Sequence, residues 1–360
     1  MTEKKINVLV VGCGNMGTSH ARAYHKLDDF NIIGLVDRGS KSSERLAKEV
    51  GEPATFSNYE EALASTKPDA VCICTYPGTH AEFSIKALEA GAHVFVEKPI
   101  AETVEDAEAI VAAAEKAGKK VVVGYILRHH PGWKKFIEHA QQLGKPLVMR
   151  MNLNQQSDGE EWGVHKNIME AMSPIVDCGV HYVDVMCQMT KATPISVHAI
   201  GARLSDEIDP NQYNYGQLQV RFDDGSVGWY ESGWGPMISE QAYFVKDIMG
   251  PKGSVSIRKN TFDLPRGSSA DIGEHTTVKQ FHLHSSEVNE DGKLVKDDQI
   301  LDAPEQPDHD ELCLFEQEYF LKAIKDDLDV SDHLREVVHT LQIVLASDES
   351  VKTGKSVELK

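Results

Sequence analysis

Lys98 closes the apolar run Val94-Phe95-Val96 and is followed at once by Pro99. An ammonium at a strand tip can polarise an oxygen, and a proline just after it fixes φ and helps hold the lysine in place. The plain alternative is a solvated strand end leading into a turn. A second group is Asp177, His181 and Asp184. Their i, i+4 and i+7 spacing puts all three near one face of a helix. Histidine exchanges a proton near neutral pH, and a neighbouring carboxylate can orient or charge its ring. Apolar Ile175, Val176, Val180, Val183 and Met186 fill the rest of that helix, so a core histidine is the competing reading. A metal pair is the weaker one, because no third ligand has a clear spacing. No metal is expected.

The third group is Gly12, Gly14 and Gly17, a GxGxxG with Asn15 and Met16 inside it, and Asp37 twenty residues further on. In a dinucleotide site the first glycine allows the tight turn. The second lets the pyrophosphate approach the backbone, and the third lets helix and strand pack closely. The helix N-terminus then offers N–H groups to the phosphates, and the acid accepts the ribose hydroxyls. Asp37 is expected to favour NAD over NADP, with Arg38, Ser40 and Lys41 leaving some NADP tolerance. Thr75, Tyr76, Pro77 and His80 follow the preceding strand and are expected to line the same crevice. Glu97 is expected to anchor the lysine's turn.

These residues need elements to place them. Apolar, β-branched runs at 6–11, 31–36, 70–75, 93–96 and 121–124 read as strands buried on both faces. Helical patterns at 15–28, 79–90 and 103–117 alternate with them, the last with Thr103 as N-cap and Gly118 as stop. Such alternation predicts a doubly wound parallel sheet with helices on both faces, over residues 1–125. Lys98 then lies at the carboxyl edge, where open α/β sheets bind ligands. Beyond Tyr125 the rhythm changes. A helix is expected at 132–143, an unpatterned polar loop at 152–172 and a helix starting at Ser173-Pro174. Strands at 194–204, 215–222, 226–234, 241–249, 253–258 and 277–284 follow without intervening helices, with a hairpin turn at "FDDGS". Helices close the chain at 310–326 and 331–350. The second domain, 126–360, is thus expected to be α/β with a largely antiparallel open sheet, binding substrate and mediating oligomerisation. Asp177 and His181 are expected to project from it towards Lys98.

Bulk properties narrow the partners. The net charge is −19, from 37 basic and 56 acidic residues. Such a surface repels nucleic acid backbones and anionic lipid, so neither nucleic acid nor membrane is expected as a partner. No run approaches the ~18 apolar residues of a membrane span. The short apolar run near the N-terminus reads as a first strand rather than a secretion signal. The six cysteines form no CxxC pair and suit reduced thiols in a cytoplasmic protein.

The chain resembles the Gfo/Idh/MocA oxidoreductases along nearly its whole length. The resemblance rests on the glycine motif, "YPGTHAEFSIKALEAGAHVFVEKPIA" at 76–101, "GYILRHHP" at 124–131, "VDCGVHYVDVM" at 176–186 and "TGKSVEL" at 353–359. It implies a Rossmann domain joined to an α/β domain with an open sheet. It also implies catalytic roles for Lys98, Asp177 and His181, and a place near cofactor or substrate for Arg128. The chain departs from the family pattern at "EAMSPIVD" before the aspartate, and its 155–170 segment matches nothing assignable. From that segment and its neighbours come the candidate substrate contacts Asn154, Gln155, Trp162, His165 and Lys166. Tyr243 joins them from a strand that in relatives can face the cleft. The expected activity is NAD-dependent oxidation of a secondary hydroxyl of a sugar, cyclitol or derivative, a small polyhydroxylated molecule. The alternatives are an NAD-dependent glycosidase working through transient oxidation, and a ligand-sensing regulator. A homodimer or homotetramer, formed through the open sheet, is expected.

Overall fold

A computed structural model describes residues 4–239, 244–258 and 276–359. The chain divides into two compact units, residues 1–129 with 307–338 and residues 130–306 with 339–360.

The first unit is built on six parallel strands, β1 (Ile6–Val11), β2 (Phe30–Val36), β3 (Ala54–Phe56), β4 (Ala70–Ile73), β5 (His93–Val96) and β6 (Val121–Val123). Their order is β3-β2-β1-β4-β5-β6. The direction of winding reverses between β1 and β4, which is where a doubly wound sheet opens a crevice at its carboxyl edge. Strands β4 and β6 are buried on every residue, as their unbroken apolar sequences require. The helix Val104–Ala117 starts and stops as its sequence signals: Thr103 accepts a hydrogen bond from the Asp106 amide, and Gly118 closes it at φ 60°.

Residues 307–338, grouped by sequence with the second domain, pack in the first unit. The helix His309–Lys325 opens with a capping box between Asp308 and Glu311. Its Phe320 sits 6.4 Å from Phe30 and 6.1 Å from Phe95, ring centre to ring centre. That aromatic cluster is the reason a C-terminal segment returns to the N-terminal core.

The second unit carries a nine-stranded sheet. Its strands are β7 (Val148–Gln156), β8 (Pro194–Ala202), β9 (Tyr215–Phe222), β10 (Val227–Gly235), β11 (Lys246–Gly250), β12 (Gly253–Arg258), β13 (Gln280–Ser285), β14 (Gln299–Asp302) and β15 (Val357–Glu358). The order is β14-β13-β12-β11-β7-β10-β9-β8-β15. Among the described strands of this sheet only β7 and β10 pair in parallel, so it is largely antiparallel. The β9–β10 hairpin turns at Asp223–Ser226, with Gly225 at φ 83°. The helix Gly179–Thr190 covers one face of the sheet: Tyr182 stacks on Tyr230 at 5.3 Å. Across the other face, Val148, Arg150, Gln219, Arg221, Val227 and Trp229 line an open concavity.

Two local expectations need correction. Residues 152–172 are not a loop. Strand β7 runs to Gln156 and a helix follows at Gly159–Met169. The strand's period of two was present in buried Met149, Met151 and Leu153. Buried Asn152 and Gln155 obscured it, because each is satisfied by a distant partner: Asn152 accepts from the Val245 amide at 2.8 Å, and Gln155 from Trp234 Nε1 at 2.9 Å. The helix begins with Glu160 and Glu161 in its first turn and buries only Trp162 and Met169, too few positions for a clear period. The second correction concerns the helix from Ser173. Ser173 does cap it, accepting from the Val176 amide at 3.2 Å, but it ends at Asp177 and restarts at Gly179. At the junction the His181 amide bonds Cys178 O at 3.3 Å, an i→i−3 contact that tightens the turn between Asp177 and His181.

Candidate active site

The glycine motif begins where β1 ends. Gly12 adopts φ +90°, and a Cβ there would lie 2.5 Å from Cys74 O on the neighbouring strand's exit. A Cβ on Gly17 would lie 1.8 Å from Gly12 O. These two glycines are therefore demanded by the fold itself. Gly14 is different: a Cβ there would meet nothing within 4 Å. The free space at Gly14 is what a closely approaching ligand would use. The helix Asn15–Lys26 starts at this point with no side-chain cap and no acid in its first turn, leaving its N-terminal amides and positive dipole end open to an anion. Asp37 stands just past β2, its amide bonded to Phe56 O at 3.0 Å. Its carboxylate accepts a long 3.4 Å bond from the Gly39 amide, and Arg38 beside it is exposed. The residues present fit a dinucleotide: a tight turn, room over Gly14, an open helix end and an acid at the next strand tip.

The exit of β4 lies beside this turn. Thr75 and Thr79 share a hydroxyl–hydroxyl bond of 2.7 Å, and Pro77 opens a short 3-10 turn. Tyr76 is 81% exposed on the same edge. His80 is not on that surface. It is fully buried, and its ring nitrogens lie 2.8 Å from Pro99 O and 2.9 Å from Thr75 O. Burial lowers its pKa against those two carbonyls. His80 thus ties the exit of β4 to the turn after β5.

That turn carries Lys98, half-buried, with a cis peptide to Pro99. Glu97 is buried beneath it. One carboxylate oxygen accepts the Lys98 amide at 3.1 Å, and the other lies 2.7 Å from His20 Nε2. His20, absent from the sequence-based candidates, is wholly buried on the glycine-motif helix, and Gln317 reaches its Nδ1 at 2.9 Å. A polar residue three positions past Gly17, on the buried side with Ala21 and Tyr24, was the available signal. Burial alone would pull the His20 pKa down, but the hydrogen bond to Glu97 and nearby carboxylates lift it to about 9. Burial likewise opposes ionisation of Glu97, yet His20 and Lys98 hold its pKa below the usual value. Arg128 pairs with Glu336 at 3.0 Å in a largely buried ion pair of the same unit.

A pH dependence of stability follows. The folded His20 keeps its proton up to about pH 9 and an unfolded histidine only to 6.5. The contribution of the His20 proton is whole below pH 6.5 and is lost as pH rises through about 9. Glu97 acts in the opposite sense: its contribution is present above 4.5 and lost as pH falls. Thermal melts from pH 6.5 to about pH 10 should show a larger fall for the wild type than for His20→Gln. Parallel curves would contradict the ion pair.

Among the described residues, His20, Cys313 and Glu316 place potential metal-ligand atoms within 4.8 Å of one another. Both ring nitrogens of His20 already have partners, and burial pushes the Cys313 and Glu316 pKa values up, so both hold their protons. This is a buried proton-bearing network rather than a donor set.

In the second unit Asp177 and His181 are half-buried on either side of the helix break. Cys178 Sγ lies 3.5 Å from Asp177 Oδ2 and 3.4 Å from Gln155 Oε1. Asp184 separates from them: it is fully buried and accepts a bond from Gln188 at 2.9 Å. Asn154 donates to Glu231 at 2.6 Å. Trp162 is a core residue with Met169, Ile208 and Trp234. His165 stacks on Trp234 at 4.4 Å and bonds Ser157 Oγ at 2.9 Å. Burial pulls its pKa to about 4 in spite of the Asp177 charge, so its ring is neutral. Lys166 is paired with Glu207 at 2.7 Å. Tyr243 lies outside the described residues.

Comparison with known proteins identifies the family. Residues 6–125 match the model of an oxidoreductase family with an NAD-binding Rossmann fold, and residues 134–256 match the GFO/IDH/MocA C-terminal domain. The chain is 26% identical over 281 residues to D-glucoside 3-dehydrogenase of Escherichia coli (strain K12), covering 71% of this chain and 78% of the relative. It is 26% identical to scyllo-inositol 2-dehydrogenase (NAD(+)) of Bacillus subtilis (strain 168), over 75% of this chain and 80% of that one. The crystal structure of scyllo-inositol dehydrogenase from Lactobacillus casei, with bound NAD(H) and scyllo-inositol, shares the fold at TM-score 0.77 and 21% identity, covering 99% of each chain. No described helix is long and apolar enough to cross a membrane. With matches to the models of both its domains, together spanning more than half of the chain, this protein belongs to the Gfo/Idh/MocA family and is an oxidoreductase with an NAD-binding Rossmann domain.

Proposed function

We propose that the protein is an NAD-dependent dehydrogenase that oxidises a secondary hydroxyl of a small neutral polyol, a cyclitol or a sugar. The observation that carries this reading is the position of Lys98. It stands at the carboxyl end of β5, two strands from the glycine turn on the same edge of the sheet. The glycine turn, the open helix end and Asp37 would hold NAD, which supplies the hydride acceptor for the carbinol C–H. The hydroxyl proton passes to His181 as the C–O bond becomes C=O, Asp177 orients or charges the imidazole, and the Lys98 ammonium stabilises the negative charge developing on oxygen.

A panel of inositols, free sugars and glucosides, followed by NADH absorbance, tests the reading. NADH accumulating with at least one member is expected. Glucoside cleavage without net NADH would favour a glycosidase with transient oxidation, and no turnover with any member would overturn the proposal. Asp37 sets a second expectation, since its carboxylate repels a 2′-phosphate. Catalytic efficiency should be higher with NAD than with NADP, and Asp37→Ser should narrow the gap. A wild type that prefers NADP would refute the assignment.

A further inference from the structure

We propose that His20 is a positioning residue for Lys98, acting through Glu97. The proposal rests on the catalytic role given to Lys98 above. The helix that opens under the glycine turn carries His20 one turn past Gly17, fully buried. Its Nε2 lies 2.7 Å from one oxygen of Glu97, and the other Glu97 oxygen takes the amide proton of Lys98 at 3.1 Å. The chain of contacts therefore runs from the dinucleotide helix through a carboxylate to the backbone of the lysine. Gln317 holds the far side of the imidazole at 2.9 Å, and Phe95 packs on its face at 4.7 Å between ring centres. On the other side of the turn, His80 binds Pro99 O at 2.8 Å. Residues 97–99 are thus fastened from two directions, and the His20 branch ends on the Lys98 amide.

The physical consequence is specific. With a neutral amide in place of His20 the buried Glu97 carboxylate loses its cationic partner, which is costly for a charge away from water. It must take up a proton or turn aside, and either change weakens its hold on the Lys98 amide. The titratable groups facing His20 besides Glu97 are Cys72, Glu316 and, through the same pocket, Cys313 and Tyr24. The acceptor of the Lys98 amide is the Glu97 carboxylate. The loss should fall on the placement of the ammonium. NAD binding should be spared, because the glycine turn, the helix N-terminus and Asp37 are untouched.

The test compares wild type, His20→Gln and the double variant His20→Gln/Glu97→Gln. Three quantities are measured: kcat with a polyol active in the panel, NAD affinity by calorimetry, and hydrogen exchange at the Lys98 amide by NMR. In His20→Gln, kcat should fall roughly 10- to 100-fold, the scale of a reacting group displaced by about 1 Å. NAD affinity should hold, and the Lys98 amide should exchange faster. The double variant replaces the charged pair with two amides that can bond each other and still accept the Lys98 amide. It should regain protection at Lys98 and part of kcat, a rescue that a residue merely filling space would not show. The double variant also carries the test if His20→Gln alone does not fold. Wild-type kcat and exchange in His20→Gln would overturn the proposal, as would a loss of activity accompanied by an equal loss of NAD affinity. If no polyol is turned over by the wild type, the dehydrogenase reading fails and the exchange measurement still decides whether His20 holds the lysine's backbone.

Discussion

Lys98→Ala is expected to lower kcat by about 10²- to 10⁴-fold, the range for a positioned acid–base group, while NAD affinity measured by calorimetry stays near wild type. The separation follows from where the side chain is attached. The features that fit NAD are backbone features of residues 12–17 and the Asp37 carboxylate, and Lys98 supports neither. Its backbone is fixed independently of its side chain, by the Glu97 carboxylate on its amide and by His80 on the next carbonyl. Truncation to alanine therefore removes the ammonium and leaves the turn. The braced turn fixes the point from which the ammonium reaches a substrate oxygen, which is the benefit of preorganisation. Should Lys98→Ala keep most of its kcat, the lysine is a solvated strand end after all.

The second large effect separates three glycines that the motif treats alike. Gly17→Ala would place a methyl 1.8 Å from Gly12 O, a backbone atom held by its strand. Something in the turn must move, at a cost of about 1–3 kcal/mol or more. Gly12→Ala is strained both by its φ of +90° and by the 2.5 Å approach to Cys74 O. Both variants should melt well below wild type and bind NAD poorly. Gly14→Ala should behave otherwise. Its methyl meets no protein atom within 4 Å, so the apo protein should melt as wild type does. The same methyl occupies the space a pyrophosphate needs, so NAD affinity should fall by about tenfold or more, on the order of 1.4 kcal/mol. Melting curves with and without NAD distinguish the cases. Equal NAD binding by Gly14→Ala and wild type would mean that the phosphates do not lie over this turn.

How much of this was legible depended on whether a residue's partners are near it in sequence. The glycine turn is a local backbone constraint, and its spacing to Asp37 could be read directly. Thr103 and Gly118 mark helix ends by bonds within four residues of themselves, and they mark them correctly. The segment from 148 to 169 was opaque for the opposite reason. Asn152 and Gln155 look like loop residues until Val245 and Trp234, about eighty to ninety positions away, supply their hydrogen bonds. Phe320 announces a helix but not which core it enters. Only the rings of Phe30 and Phe95 decide that. At the candidate site, Lys98 could be singled out from its unusual position, whereas the interior place of His80 depends on Thr75 and Pro99 and was misread as crevice lining. Glu97 was expected to anchor the turn and does so, but its partner His20, 77 positions away, could not be read. Asp184 shared the spacing of Asp177 and His181, yet helix periodicity says which residues share a face and not how deep each lies.

The central claim is direct hydride transfer from a carbinol carbon to NAD, with the proton handled by the protein. The most direct measurement uses a polyol from the active panel deuterated at the oxidised carbon. The account predicts one deuterium in the nicotinamide of the NADH produced, none released to water, and loss of this labelled product in Lys98→Ala. Deuterium appearing in solvent, or NADH formed without label, would contradict it.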